Sequence, residues 1–113
     1  MNKCIANEDI LEVKSVLGKK IRTTHDYWKY ISEVKHADLA GQLEKVFLTL
    51  TNADEVWHDQ ETFSIFLYYY KINGYWICVV TRHLNGDGFI VTSYLTRKFK
   101  RKGKKIWSRK NRQ

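Results

Sequence analysis

Proline is absent from this chain, and it has only six glycines and two cysteines in 113 residues, so several architectures fall away at once. With no proline and no glycine period, there is no collagenous or Pro-rich segment, and no internal repeat marks a solenoid. Cys4, near the start, and Cys78, inside an apolar run, neither frame a disulfide scaffold nor pair as zinc ligands, which fits a reducing compartment. No stretch reaches the roughly 18 apolar residues of a membrane span, and the acids of MNKCIANEDILEV interrupt any secretion signal. The expectation is a cytoplasmic protein with no membrane attachment. Acid is missing from one region only. Residues 97–113 hold ten of the twenty Lys and Arg and none of the twelve Asp and Glu, so the +8 chain divides into a body near −2 and a strongly cationic end.

What is present suffices for one core: 43% of the residues are hydrophobic and 14% aromatic, in a length that suits a single domain. The run ILEVKSVLGKKIRT, over 10–23, reads as a β-hairpin around Leu17-Gly18 or as a short helix over 8–17. Tyr27, Trp28, Ile31 and Val34, then Leu39, Leu43, Val46, Phe47 and Leu50, recur at helical spacing. They predict amphipathic helices over 24–35 and 38–51, the first capped by Thr24 or Thr23. After Asn52 the period shortens: FSIFLYYYKI, YWICVVTRHL and FIVTSYLT are separated by Asn73-Gly74 and by Asn85-Gly86-Asp87-Gly88. This predicts a three-stranded antiparallel meander. If Asn73-Gly74 and Gly86-Asp87 are the turn centres, Phe66, Tyr68, Ile77, Val79, Thr81, His83, Ile90, Thr92 and Tyr94 share one face. Leu67, Tyr69, Cys78, Val80, Arg82, Phe89, Val91, Ser93 and Leu95 share the other. The second face is the more aliphatic and is expected beneath the helices.

On that register His83, Thr92 and Tyr94 form a set able to act on a phosphodiester. The histidine would serve as acid or base and the hydroxyls would orient phosphate oxygens. The plainer alternative is that Thr and Tyr are simply good strand residues and His83 a solvated strand end. His25, His36 and His58 lack metal-site spacing, so no metal or cofactor is expected. His36 closes a predicted helix, where a cation is electrostatically favoured. Glycine-rich phosphate loops and G-x-S-x-G are missing, and Cys78 alternates into an apolar face. The end FKRKGKKIWSRKNRQ interleaves Lys and Arg with Phe99 and Trp107, a pattern that suits phosphate contacts and base stacking. The alternatives are a solvated terminus or a docking strand for an acidic partner, with Ile106-Trp107 pinning it to the core, but ten cations over 97–113 without one acid favour nucleic acid.

Four segments carry a wider resemblance: GKKIRTTHDYWKYISEVKH, KVFLTLTNADEVW, YYYKINGYWICVVT and GFIVTSYLTRKFKRKGKKIW. They follow a G-x-x-I-x-x-T start, a W-x-[HY]-I helix ending in histidine, a T-L-x-x-P-D-x-V segment and a V-T-A-Y-L strand followed by lysines. The pattern is similar to a group of small bacterial and phage proteins of the barnase, EndoU, colicin and RelE nuclease type, the BECR fold. Ala37 and Ala53 stand where that group has proline, and Tyr30 where many members have a second histidine. The resemblance implies an α+β fold, with helices packed on one face of a small antiparallel β-sheet and an RNA-cleaving site on the exposed concave face. It also implies metal-independent attack through the RNA 2′-hydroxyl. Catalytic roles would then fall to His36, His83, Thr92, Tyr94 and Lys98. RNA contacts would fall to Arg82, Arg97, Lys100, Arg101, Lys102, Lys104, Lys105 and Trp107.

The expected organisation is a domain over 1–107 with a basic tail over 108–113. The expected function is a toxin-type endoribonuclease acting on RNA and held in check by an antitoxin or immunity protein. The alternatives are a non-catalytic RNA- or DNA-binding module and a protein-interaction subunit with a basic docking tail.

Overall fold

In chain order the elements are β1 (Ile10–Lys14), β2 (Lys20–Thr24), α1 (His25–Tyr30), α2 (Leu43–Asn52), β3 (Glu55–His58), β4 (Ile65–Ile72), β5 (Tyr75–His83), β6 (Asp87–Thr96) and β7 (Lys104–Ser108). They come from a computed structural model that describes residues 10–30, 43–98 and 103–109. The strands form one seven-stranded sheet in the order β1-β2-β6-β5-β4-β3-β7. All neighbours are antiparallel except β2 and β6, where Lys20, Ile21 and Arg22 run parallel beside Asp87, Gly88 and Phe89.

The Asn73-Gly74 turn is the local feature that frames this sheet. Both residues take positive φ, 49° and 83°, which a two-residue hairpin turn needs and which Asn and Gly tolerate best. From that turn the β4–β5 register runs unbroken from Ile72↔Tyr75 to Ile65↔Arg82, as the turn dictates. The run at 10–23 is a hairpin rather than a helix, with Leu11 opposite Thr23 and Lys14 opposite Lys20. Thr24 caps α1, its Oγ1 accepting the Tyr27 N–H at 3.0 Å.

The expected α+β arrangement, helices layered on a small antiparallel sheet, is not what forms. Strand dominates, the sheet is mixed, and the described residues contain only two helices. The excess strand comes from places where the sequence signal is short. Glu55–His58 and Lys104–Ser108 offer four and five residues, too few for a visible period, and they become strands by pairing with each other and with β4. The cationic end is therefore partly an edge strand. Trp107 packs against the core, the Arg109 N–H donates to the Asp54 carbonyl at 2.8 Å, and its guanidinium reaches Asn52 at 3.1 Å.

A second correction concerns the faces. Beside the β5–β6 turn the pairs are His83↔Gly88, Arg82↔Phe89 and Thr81↔Ile90, but the next is Val80↔Thr92, so Val91 is an extra residue on β6. A bulge of this kind turns every later side chain to the other face. Its unpaired carbonyl is taken by the Tyr27 hydroxyl at 2.6 Å. Beyond the bulge Ser93 and Leu95 join Val79 and Ile77, while Thr92 and Tyr94 join Val80 and Cys78.

The face that receives Leu95 is the one α2 covers, so the helix lies on the face expected to be open. Val46 and Leu50 of α2 pack with Ile21, Val56, Tyr68, Ile77, Val79 and Ile90 in the main core. Sharing of chain ends ties this layer together, since the Val16 N–H donates to the Leu50 carbonyl at 2.9 Å and so satisfies one of the helix's last acceptors. The opposite face buries a smaller cluster of Trp57, Tyr69 and Cys78, with Leu67, Trp76, Val80 and Tyr94 around it.

Candidate active site

One end of the helix-covered face carries a column of rings. Phe66 of β4 has His83 stacked on one side, with centroids 3.9 Å apart and planes 11° apart, and His58 of β3 on the other, at 4.5 Å and 16°. Phe63, in the loop before β4, meets His58 edge-on at 5.1 Å. Sheet register produces this. His58 stands opposite Phe66, and His83 lies two residues beyond Thr81, Phe66's partner on β5, so all three side chains share a face. Stacked contacts of this sort contribute about 0.5–1.5 kcal/mol each beyond burial, enough to hold two imidazoles in fixed planes.

Hydrogen bonds fix the rings further. Tyr68, fully buried, donates its hydroxyl proton to Ser15 Oγ at 2.8 Å, which leaves its oxygen to accept from His83 Nε2 at 3.2 Å. In that tautomer Nδ1 of His83 carries the lone pair. His58 donates from Nε2 to the Phe63 carbonyl, which leaves its own Nδ1 as the second site of that ring. Burial, then the charges of Lys19 and His58, push the His83 pKa down to about 4, so the ring is neutral near pH 7. Burial pushes the Tyr68 phenol up to about 12, against a smaller opposing effect of the Ser15 hydrogen bond, so Tyr68 stays protonated.

In front of the column lies an open groove of about 720 Å³ lined by Lys19, Phe63, Ser64, Phe66, His83, Leu84, Asn85 and Asp87. The Lys19 ammonium donates to the Leu84 carbonyl at 3.3 Å, which holds a cation over this mouth. Asp87 is paired with Arg22 at 2.8 Å, so its charge is largely answered from outside the groove.

The residues predicted from sequence are distributed unevenly around this groove. His83 is central to it. Arg82 points to the opposite face but reaches the groove's rim, where Nη1 donates to Ser64 Oγ at 2.7 Å. Lys104 stands opposite His58 on the neighbouring strand, and Lys105 opposite Trp57; both side chains are exposed. Thr92 and Tyr94 are not brought to His83, because the bulge at Val91 places them on the other face. There the Thr92 hydroxyl is buried with no hydrogen-bond partner among the described residues, and Tyr94 packs against Cys78 and Tyr69 with its phenol pKa raised, mainly by burial. Cys78 is fully buried and its thiol is pushed up to about 12, so it is a packed side chain rather than a nucleophile.

Arg97 and Lys98 lie at the opposite end of β6. There Arg97 sits 4.7 Å from the Tyr75 ring centroid and donates to its hydroxyl at 2.8 Å, and the Lys98 carbonyl accepts from Thr96. Trp107 is packed against the core rather than offered for stacking. His36, Lys100, Arg101 and Lys102 fall outside the described residues.

Sequence reasoning placed Phe66, Tyr68 and His83 on one face but gave them no joint role, and it missed His58, Phe63, Lys19 and Ser15. His58 was invisible because β3 is four residues long, while Lys19 and Ser15 come from a hairpin loop that reaches the site through long-range contacts, Ser15 with Tyr68 and Lys19 with Leu84. No family model, curated protein or solved structure matches this chain. Among the described residues, no helix is long and apolar enough to cross a membrane.

Proposed function

We propose that the groove beside His83 cleaves RNA, with the two histidines that sandwich Phe66 as its acid and base. The chemistry expected from the sequence motifs is kept and moved from the Thr92–Tyr94 strand face to the His58–Phe66–His83 column. The observation that carries the reading is that column: two imidazoles in nearly parallel planes on opposite sides of one phenyl ring, with His83 and Phe66 lining a groove that has a lysine over it. A phosphate lying across the edge of Phe66 has one imidazole on either side, as in-line displacement at phosphorus requires.

In this reading His83 Nδ1 takes the proton of the RNA 2′-hydroxyl as that oxygen bonds to phosphorus. His58 gives a proton to the 5′-oxygen as its bond to phosphorus breaks, and the products are a 2′,3′-cyclic phosphate and a free 5′-hydroxyl. Lys19 opposes the negative charge that builds on the phosphoryl oxygens. Tyr68 holds His83 in the tautomer that leaves Nδ1 unprotonated. Charge supports the same substrate, because Lys104 begins the cationic strand directly beside His58.

The test is cleavage of a labelled RNA by the full chain in EDTA, with His58→Ala and His83→Ala in parallel. Each substitution should slow cleavage by roughly 100-fold or more, and a 2′-deoxy residue at the scissile position should block it. RNA left intact at micromolar protein would remove the proposal. RNA retained but never cut would favour the binding-module reading, to which the exposed lysines of β7 also lend support.

A further inference from the structure

Phe63 is 84% exposed, by far the most open of the large apolar side chains among the described residues. An aromatic ring kept in water at that level loses the burial that would normally account for its presence, and it is not isolated. Leu84, 44% exposed, lines the same groove, so two of the four exposed large apolar residues among those described border one opening. The ring is nonetheless positioned, because its own carbonyl accepts from His58 and its edge abuts the same imidazole. The loop carrying it is tied down at both ends: the Asp59 N–H donates to the Ile65 carbonyl at 3.0 Å, and Asp59 Oδ2 accepts the Thr62 N–H at 2.6 Å.

We infer that the groove takes a single unpaired nucleobase, stacked on Phe63 and flanked by Leu84, with its phosphate towards Lys19, so that the RNA recognised is single-stranded. This rests on the reading of the groove as an RNA site and names the form of RNA it accepts. A base in a duplex has both faces covered by its neighbours and cannot present one to a side chain in a groove, whereas an unpaired base can. Every base has a π face, so Phe63 gives preference for single strands with little preference for sequence. The uncharged polar side chains lining the groove that could read a base edge are Ser64, already engaged by Arg82, and Asn85. The cation and the ring do separate work: Lys19 supplies salt-dependent phosphate affinity, and Phe63 supplies salt-independent stacking.

The experiment uses a fluorescein-labelled ten-nucleotide RNA with 2′-O-methyl groups throughout, which cannot be cleaved, and the blunt duplex of the same sequence. Binding to the full chain is read by anisotropy at several salt concentrations. Wild type should favour the single strand. Phe63→Ala should weaken single-strand binding by roughly 5-fold or more while leaving the duplex affinity and the salt slope unchanged, and Phe63→Trp should restore it. Lys19→Ala should lower the salt slope by about 1. Because Phe63 is so exposed, its loss should leave the melting temperature unchanged, which a thermal scan confirms. Single-strand affinity unaltered in Phe63→Ala, or equal losses on single strand and duplex, would overturn the inference even if natural RNA is cleaved. Conversely, Phe63-dependent single-strand binding with natural RNA left uncut would uphold it and remove the catalytic reading alone.

Discussion

Acidification from pH 7.5 to 4.5 should weaken this fold through one imidazole, by an amount that can be worked out in advance. In the folded protein the His83 pKa lies at about 4 instead of 6.5, first because of burial and then because of Lys19 and His58. The unfolded chain therefore binds a proton that the folded chain refuses anywhere between those two values. Stability from this group is complete above pH 6.5 and is lost as the pH falls through 6.5 towards 4. If the whole displacement counted, the loss would be about 3 kcal/mol; because the ring borders an open groove, solvent screening brings it to about 1–2 kcal/mol. For a domain of this size that is a drop of roughly 4–8 °C in Tm.

The assay compares Tm at the two pH values for wild type and for His83→Asn. Every other group that titrates over this range is present in both proteins, so the difference between them isolates the imidazole. Wild type should lose the extra 4–8 °C on acidification and the variant should not. Equal losses, or an NMR titration of the His83 ring centred near 6.5, would refute the reasoning.

Other consequences can be tested at the bench. Gly103 takes φ +91°, and a Cβ there would overlap the His58 carbonyl oxygen; Gly103→Ala should cost on the order of 2 kcal/mol and speed amide exchange across Lys104–Ser108. Leu50→Ala, at a fully buried position beneath the sheet, should lower unfolding stability by about 2–5 kcal/mol in urea titration. Tyr68→Phe strips the hydroxyl that bonds Ser15 and His83, and about 1–2 kcal/mol should disappear from the same titration. Peptide mapping after thiol labelling at pH 8 should find Cys78 unmodified in the native protein and modified in denaturant; rapid native labelling would contradict its complete burial.

The parts of the fold legible in the sequence are those fixed by local chemistry. Asn73-Gly74 gave the β4–β5 register residue for residue, Thr24 gave a helix start, and the Ile10–Thr24 region offered the hairpin as one of two readings. What escaped is non-local or irregular. Nothing in FIVTSYLT announces that Val91 is an extra residue, yet that insertion moves Thr92 and Tyr94 away from His83 and brings Leu95 under α2. A bulge is chosen by what the strand must meet on both sides, here β2 on one edge and β5 on the other, and a single sequence does not write that choice down. The site shows the same division. His83 could be picked out by residue type alone, whereas its partner His58 could be found only once a four-residue strand had been placed beside β4.

The parallel joint between β2 and β6 also has a bearing on time. Residues 20–22 have β1 on one edge but nothing on the other until residues 87–89 exist, and β3 likewise waits for residues 104–108 to cover its outer edge. Closing such long loops is slow, because chain entropy must be surrendered before any contact repays it, and sheets of this kind refold in milliseconds to seconds rather than microseconds. During synthesis the Asn73-Gly74 hairpin can form as soon as its strands emerge, but the parallel joint beside Lys20–Arg22 cannot close until β6 follows. A nascent chain therefore carries both histidines of the column before the joint that flanks their groove has closed.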